Sequence, residues 1–208
     1  MNRKQGFMFK LFGILMVSIL VILSGCVGKE AKEIDSHSTV QDLASSKLPE
    51  IEAHEYEGII LTPLSQHTKT GKPQHINIST YKLEVTGLVN KGLEMSYDDL
   101  LRLPAYSKVA QLFCDDGWNF TAKWTGFRLM DLLNLSEPKP AAKSAVFYSS
   151  DGYDISLPLD YIKKNQILAA YGINDVTLPD DTGFPFQIVA EDMPGLDWSK
   201  WVTRIDLT

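Results

Sequence analysis

The chain has 208 residues, 44% of them hydrophobic and 22% charged, which is an ordinary balance for a globular protein with one sizeable core. Its formal net charge is −6 at pH 7. An acidic chain does not bind nucleic acid or anionic lipid through broad surface charge, so neither kind of contact is expected.

The N-terminus has the order of an export signal. A basic start at Arg3 and Lys4 precedes the apolar run Leu11–Leu23, which suits a signal-peptide core and is short for a membrane-spanning helix. The run ends in "LSGC", and small residues just before Cys26 resemble a bacterial lipobox. This predicts a signal peptide over residues 1–25, lipidation of Cys26, and anchoring on the extracytoplasmic face of the cell membrane. The alternative is an ordinary signal-anchor helix.

Residues 26–55 are predicted to form a flexible tether. The segment is polar, has few large apolar residues and shows no sustained periodicity, so it cannot bury a core of its own. A tether of this kind would hold the rest of the chain away from the membrane. Residues 56–208 remain, and they suffice for a single domain.

The first elements of that domain are local and regular. Apolar and polar residues alternate from Tyr81 to Thr86, which predicts a half-buried strand. Ser96 suits a helix N-cap and Pro104 suits a stop, so a short helix is predicted between them. The run "SKVAQLFC" then predicts a second strand that leads directly into Cys114.

The second half of the domain alternates helices and strands irregularly. We predict a short helix in "FRLMDLLNL", a hairpin around the Asp-Gly pair of "SAVFYSSDGYDISLPL", and an amphipathic helix in "LDYIKKNQILAAYG" that ends at Gly172. Two further strands are predicted in "FPFQIVAED" and "KWVTRIDLT". No β-α-β unit with a glycine-rich phosphate loop occurs, so the pattern indicates an α+β domain rather than a nucleotide-binding doubly wound sheet.

Cys114 is the residue that most needs an explanation. If Cys26 carries lipid, Cys114 is the one thiol of an exported protein. It can be an inert buried side chain, a nucleophile paired with His67 or His75, or a metal ligand. A thiolate suits a soft or redox-active metal, whose other donors would come with an organic cofactor. The residues alone leave these alternatives open.

Four segments resemble the sulfite oxidase family, in particular the molybdopterin-binding domain that sulfite oxidases share with periplasmic methionine sulfoxide reductases. They are "YKLEVTGLVNKGLEMSYDDLLRLP", "FCDDGWNFTAKWTGFRLMDLL", "FYSSDGYDISLPL" and "TGFPFQIVAEDMPGLDWSKWVTRIDL". The resemblance runs from about Gly58 to Thr208, in the family's order. It implies a single α+β domain with a mixed, barrel-like sheet, and a molybdenum–molybdopterin cofactor.

The resemblance also implies roles for particular residues. Cys114 matches the family's sole protein ligand of molybdenum and is therefore the predicted catalytic and metal-binding residue. Trp118, Trp124 and Gly126 are expected to pack the turn that fixes this ligand. The predicted cofactor-binding residues are Gln66, His67, Ser149, Ser150, Thr182, Gln187, Trp198, Ser199 and Lys200.

The chain departs from the family's pattern at charged positions. Gln187 stands where the family commonly has arginine, and Phe113 stands where histidine or arginine is frequent. Asp115, Asp116 and Asp197 add negative charge near the expected site. An acidic pocket disfavours a small dianion, so reduction of an S- or N-oxide is favoured over oxidation of sulfite.

The implied partners follow from the same resemblance. The chemistry is oxygen-atom transfer to or from a small-molecule substrate. The sequence has no haem or iron–sulfur signature, so a separate electron-transfer partner is expected, and the chain is expected to be a monomer. The alternative is a non-catalytic lipoprotein that kept the fold as a binding module and lost the cofactor.

Overall fold

The computed structural model describes Leu48 and residues 51–208. The predicted signal peptide, the lipidation site Cys26 and most of the predicted tether lie outside the described residues. The last residues of the predicted tether already contact the domain. The Ala53 N–H donates to the Asn174 carbonyl at 2.8 Å, and the Glu52 carboxylate accepts from the Leu64 N–H at 2.6 Å. Within this described part, no helix has the length and apolar character to cross a membrane.

In the described residues the chain forms short helices and many strands. The helices are α1 Tyr97–Leu100, α2 Leu129–Leu135 and α3 Leu159–Lys164. The strands are β1 Glu55–Tyr56, β2 Ile59–Ile60, β3 Lys82–Gly87, β4 Leu93–Ser96, β5 Ala105–Phe113, β6 Asn119–Arg128, β7 Ser144–Ser149, β8 Asp154–Pro158, β9 Leu168–Ile173, β10 Val176–Thr177, β11 Gln187–Val189 and β12 Val202–Leu207.

Most strands belong to two sheets. The first sheet is antiparallel in the order β10-β9-β6-β5, with β11 also paired to β9. The second has the order β4-β3-β12-β7-β8, in which β12 is parallel to β3 and the other pairs are antiparallel. The predicted α+β class with a mixed sheet is confirmed.

Both sheets contribute to one hydrophobic core. In the second sheet β3 alternates exposed and buried residues over its first four positions, as the sequence predicts, and β7 and β8 bury every second residue. Trp124 and Phe127 from the first sheet and Phe147 from the second are fully buried. Burying such an aromatic side chain contributes about 1.5–3 kcal/mol.

Helix α1 begins where the sequence predicts. The Ser96 side chain accepts from the Asp99 N–H at 3.2 Å, and the Asp99 carboxylate accepts from the Ser96 N–H at 3.2 Å. This reciprocal capping box satisfies two backbone donors that the first helical turn leaves unpaired. The predicted N-cap is therefore confirmed.

The helix predicted to continue to Gly172 is wrong in its second half. Helix α3 ends at Lys164, Gln166 takes a positive φ of 47°, and the chain continues as β9. All six residues of Leu168–Ile173 are buried, because β9 lies inside the first sheet. A strand covered on both faces is continuously apolar and lacks the alternation that marks a half-buried strand.

Strand β6 was missed by the sequence reasoning, although its first half alternates, with Phe120, Ala122 and Trp124 buried. Trp124 and Gly126 therefore lie inside strand β6, whereas the resemblance had implied that they pack around the ligand turn. A Cβ at Gly126 would lie 2.1 Å from the Ala169 carbonyl oxygen, so only glycine permits β9 to approach here.

Candidate active site

Cys114 lies in the tight turn between β5 and β6. The Cys114 N–H donates to the Trp118 carbonyl and the Gly117 N–H donates to the Cys114 carbonyl, both at 2.9 Å. Gly117 has φ +85°, a value that glycine adopts without steric cost. The long β5–β6 pairing thus ends in a closed turn that holds the half-buried thiol. The Cys114 Sγ lies 4.0 Å from a carboxylate oxygen of Asp116.

A second segment packs directly against this turn. Gly195 begins the 3₁₀ turn Gly195–Asp197. A Cβ at Gly195 would lie 2.9 Å from the Phe113 carbonyl oxygen, a distance at which something must shift, and 3.6 Å from the Cys114 Cα. A residue without a side chain is therefore needed for the chain to pass so close to Cys114.

The thiol faces a cavity of about 270 Å³. Its lining comes from the loop before β3, the β5–β6 turn, the β7–β8 turn and the segments around β11. The lining residues are His67, Thr68, Lys69, Thr70, Gly71, Leu112, Cys114, Asp116, Trp118, Phe120, Ser149, Asp151, Tyr153, Asp181, Thr182, Gln187, Gly195, Leu196, Trp198, Lys200 and Trp201.

The structure brings most of the predicted site residues together at this cavity. Besides Cys114, the lining includes His67, Ser149, Thr182, Gln187, Trp198 and Lys200. Trp198 is almost fully buried and packs on Trp124 with a ring-centroid distance of 5.5 Å. The strand residue Trp124 therefore supports the site from behind.

Three of the predicted cofactor-binding residues lie outside the lining. Ser199 is fully buried behind it, where its hydroxyl bonds that of Ser149 at 2.8 Å. Ser150 follows Ser149 and is exposed, because successive side chains at a strand end point to opposite faces. Gln66 is exposed in a 3₁₀ turn.

Two buried polar atoms in the lining have no hydrogen-bond partner among the described residues. They are Nδ1 of His67 and Oε1 of Gln187. The His67 Nε2–H donates to the Thr62 carbonyl at 3.0 Å, so Nδ1 is left as an acceptor. Burial lowers the pKa of His67 and so favours this neutral form. Leaving a buried polar group unpaired costs roughly 1–3 kcal/mol, which a polar ligand in the cavity would offset.

The charges of the cavity are mixed. Lys69 forms an ion pair with Asp181. Burial would raise the pKa of Asp181, but hydrogen bonds from Lys69 and Thr182 lower it below its usual range. The Lys200 Nζ donates to the Asp181 carbonyl at 3.0 Å, and burial lowers the pKa of Lys200 against the opposing effect of Asp181 and Asp151.

The lysines of the cavity correct part of the prediction that the pocket is acidic. Asp116 lies on the lining, whereas Asp115 and Asp197 do not. Sequence reasoning missed both Lys69 and Asp181 as cavity residues. The one available signal for Lys69 was its position two residues after His67, in a loop without periodicity.

The thiol and the unpaired polar atoms that share this cavity suit a metal-containing organic cofactor. Residues 69–208 match the family described as oxidoreductase molybdopterin binding domain, and the chain belongs to that family. The match confirms the predicted enzyme class and the predicted molybdenum–molybdopterin cofactor.

Individual relatives cover the chain in part. The chain is 27% identical over 137 residues to the uncharacterized oxidoreductase YuiH of Bacillus subtilis. The match covers 65% of this chain and 69% of YuiH. It is 30% identical over 145 residues to the protein-methionine-sulfoxide reductase catalytic subunit MsrP of Gluconobacter oxydans, covering 61% of this chain and 46% of MsrP.

The fold also matches a solved structure. The crystal structure of the sulfane dehydrogenase SoxCD from Paracoccus pantotrophus superposes with a TM-score of 0.62 at 20% identity, covering 86% of this chain and 55% of that chain. This likeness supports the fold. The chain spans about half the length of the MsrP and SoxCD chains that it matches.

Proposed function

We propose that this protein is an exported, lipid-anchored oxidoreductase that reduces a small neutral S-oxide or N-oxide. Its cofactor would be held in the cavity behind the β5–β6 turn, with Cys114 as the protein ligand of the metal. The observation that carries the proposal is the position of the Cys114 thiol, which a closed turn holds at the wall of that cavity in a chain of the molybdopterin-binding family.

The residues of the cavity fit this cofactor. Cys114 offers a soft donor suited to a redox-active metal. The unpaired atoms of His67 and Gln187 can bond the polar edge of a pterin, and Lys200 suits its phosphate as a point charge. When bound, molybdenum with the pterin's own sulfurs supplies the oxygen-atom chemistry. Ser199 positions Ser149 through the hydroxyl–hydroxyl bond at 2.8 Å.

The charge beside the thiol favours neutral substrates. A carboxylate oxygen of Asp116 lies 4.0 Å from the Cys114 Sγ. The cavity's lysines Lys69 and Lys200 are both engaged at Asp181, by an ion pair and by a hydrogen bond to its carbonyl. A dianion bound at Cys114 therefore lies beside a carboxylate, whereas a neutral sulfoxide is not repelled by it.

The electron balance requires an electron donor. Reduction of one sulfoxide consumes two electrons and two protons and yields one sulfide and one water molecule. A separate one-electron carrier, oxidised twice per turnover, supplies the electrons. The similarity to MsrP, a protein-methionine-sulfoxide reductase catalytic subunit, supports this direction of the reaction.

Metal analysis of the purified protein tests the proposal. Protein made in a host that synthesises the cofactor should contain about one molybdenum per chain, as expected for a single ligand Cys114. Cys114→Ser should lose the metal, while Ser150→Ala, outside the cavity lining, should keep it. A wild-type protein that is folded but free of molybdenum would contradict the enzyme and favour the non-catalytic binding module.

The anchoring has its own test. We expect wild-type protein to fractionate with membranes and to carry acyl chains on Cys26 by mass spectrometry. Cys26→Ser should lack this modification. Recovery of unmodified wild-type protein that retains residues 1–25 would instead support a signal-anchor helix.

A further inference from the structure

Large apolar side chains are exposed at the opening of the cavity. Leu196 is 63% exposed and Tyr153 is 45% exposed. Both line the cavity together with Trp118, and the Tyr153 hydroxyl donates to the Leu196 carbonyl at 2.9 Å. Trp118, Tyr153 and Leu196 form an apolar patch in the same lining as Cys114.

Carboxylates surround this patch. Asp115 and Asp116 are exposed in the turn that holds Cys114. Asp151 lines the cavity with Tyr153, while Asp154 follows Tyr153 and Asp197 follows Leu196 in the chain. Burial raises the pKa of Tyr153, and the charges of Asp197, Asp154 and Asp151 raise it further. We define the mouth surface as the apolar patch Trp118, Tyr153 and Leu196 together with its acidic rim, Asp115, Asp116, Asp151, Asp154 and Asp197.

The cations of the cavity offset only a small part of this rim. Lys69 is paired with Asp181, so Lys200 is left as one positive charge against the five carboxylates of the rim. Asp115, Asp154 and Asp197 lie outside the cavity lining, so the negative charge extends beyond the area that a small substrate would touch.

We propose that the mouth surface is the docking site of a one-electron carrier protein with a basic face, an inference that rests on the proposed function. Opposite charge at the rim steers such a partner and sets its orientation. The apolar patch provides a small contact area from which the carrier protein excludes water, as is typical of a transient interface. Leu196 follows Gly195, which packs against the Cys114 turn, so a partner seated there lies beside the ligand turn.

A folded carrier explains the rim better than a polypeptide substrate does. An oxidised protein segment presents one reactive side chain in many sequence contexts and has no fixed charge. A rim of a single sign suits a partner whose opposite charge is fixed in space. A polypeptide substrate at this surface would give different results in the cytochrome titration and in dye-driven reduction of an oxidised protein.

Binding to a charge-matched pair of probes tests the docking site. The probes are a basic c-type cytochrome and the same cytochrome with its lysines succinylated, titrated calorimetrically into the full-length purified chain at low salt. We expect the basic form alone to bind, and binding to weaken as salt approaches 0.15 M. Because calorimetry needs no turnover, it gives an answer whether or not the chain contains molybdenum, so its failure is distinguishable from failure of the proposed function.

Variants locate the site. Asp115→Asn with Asp154→Asn should weaken binding of the basic cytochrome about tenfold at low salt. Glu84→Gln with Glu94→Gln removes the same charge from exposed, facing positions of β3 and β4 and should leave binding unchanged. Equal losses in both variants, or equal binding of both cytochromes, would overturn the proposal.

The apolar patch has a matched control as well. Leu196→Ser should weaken cytochrome binding several-fold, whereas Leu135→Ser, at a side chain that is 45% exposed on α2, should not. If Leu196→Ser left cytochrome binding intact but impaired dye-driven reduction of an oxidised protein, the surface would belong to a polypeptide substrate and the proposal would be wrong.

Discussion

Two parts of the cavity lining are built in different ways. The ligand wall is the β5–β6 turn around Cys114, where backbone hydrogen bonds of 2.9 Å close the turn and Gly195 packs against it. The loop wall consists of residues 67–71 and 180–182, where the Lys69–Asp181 ion pair joins two irregular segments. Lys69 in this pair is 57% exposed.

The difference separates two tasks. Backbone contacts in the ligand wall fix the thiol almost independently of nearby side chains, as a metal ligand requires. Side-chain charges in the loop wall can change without moving Cys114. We therefore expect substitutions in the ligand wall to affect metal retention and turnover strongly, and substitutions in the loop wall to change charge preference and acid stability modestly.

The largest effect is expected for Cys114→Ser. An alcohol is a harder donor than a thiolate and binds a soft metal poorly, so turnover of methyl sulfoxide should fall by at least about a hundredfold. Molybdenum content should fall with it. Circular dichroism should remain unchanged, since the thiol is not part of the core. A variant with wild-type turnover would make Cys114 a structural residue only.

A strong but indirect effect is expected for Gly195→Ala. The new Cβ would lie 2.9 Å from the Phe113 carbonyl, so the turn or the 3₁₀ segment must shift. A displacement of about 1 Å near reacting groups can cost up to a hundredfold in rate, and we expect a loss of about ten- to a hundredfold in kcat.

Gly92→Ala is the matched control for this loss. Its Cβ would be 3.7 Å from the Val85 carbonyl, an ordinary contact far from the cavity lining. Its kcat should stay within about twofold of the wild type. Equal losses in the two alanine variants would indicate that Gly195 does not position the ligand turn.

The sequence predicted the elements of the ligand wall better than the contacts of the loop wall. The strand before Cys114 and the β7–β8 hairpin carry local signals, and the Asp-Gly turn is observed with Gly152 at φ +89°. The Lys69–Asp181 pair joins residues from distant parts of the chain, and no local pattern indicates such a contact. Strand β9 was missed for a different reason, since burial on both faces removes its alternation.

A moderate change in substrate preference is expected for Asp116→Asn. The carboxylate lies 4.0 Å from the Cys114 Sγ, so removing its charge should raise kcat/KM for sulfite oxidation roughly fivefold. Reduction of neutral methyl sulfoxide should change little. The comparison uses artificial redox dyes at low and high salt, and salt should shrink the gain if repulsion is its cause.

Glu94→Gln controls for a general effect of net charge, because Glu94 lies in β4 away from the cavity. Its ratio of the two kcat/KM values should equal that of the wild type. Efficient sulfite oxidation by the wild type, with little dependence on salt, would show that Asp116 does not govern access of anions.

The smallest effect is expected in the loop wall, for Asp181→Asn. The folded state lowers the pKa of Asp181 below its ordinary value of 3.8. The carboxylate therefore stabilises the fold fully above the unfolded-state pKa, and this contribution is lost as the pH falls below 3.8 through the lower folded-state pKa. Because Lys69 is 57% exposed, solvent screens the pair and its contribution is about 0.5 kcal/mol. Asp181→Asn should therefore unfold at slightly lower urea concentration than the wild type at pH 7, and the two should converge as the pH falls below the folded-state pKa of Asp181. Lys69→Met should show the same convergence, since it removes the other charge of the pair. If the difference between Asp181→Asn and the wild type stayed unchanged at the lowest pH at which both remain folded, the carboxylate's charge would not be what joins the two segments of the loop wall.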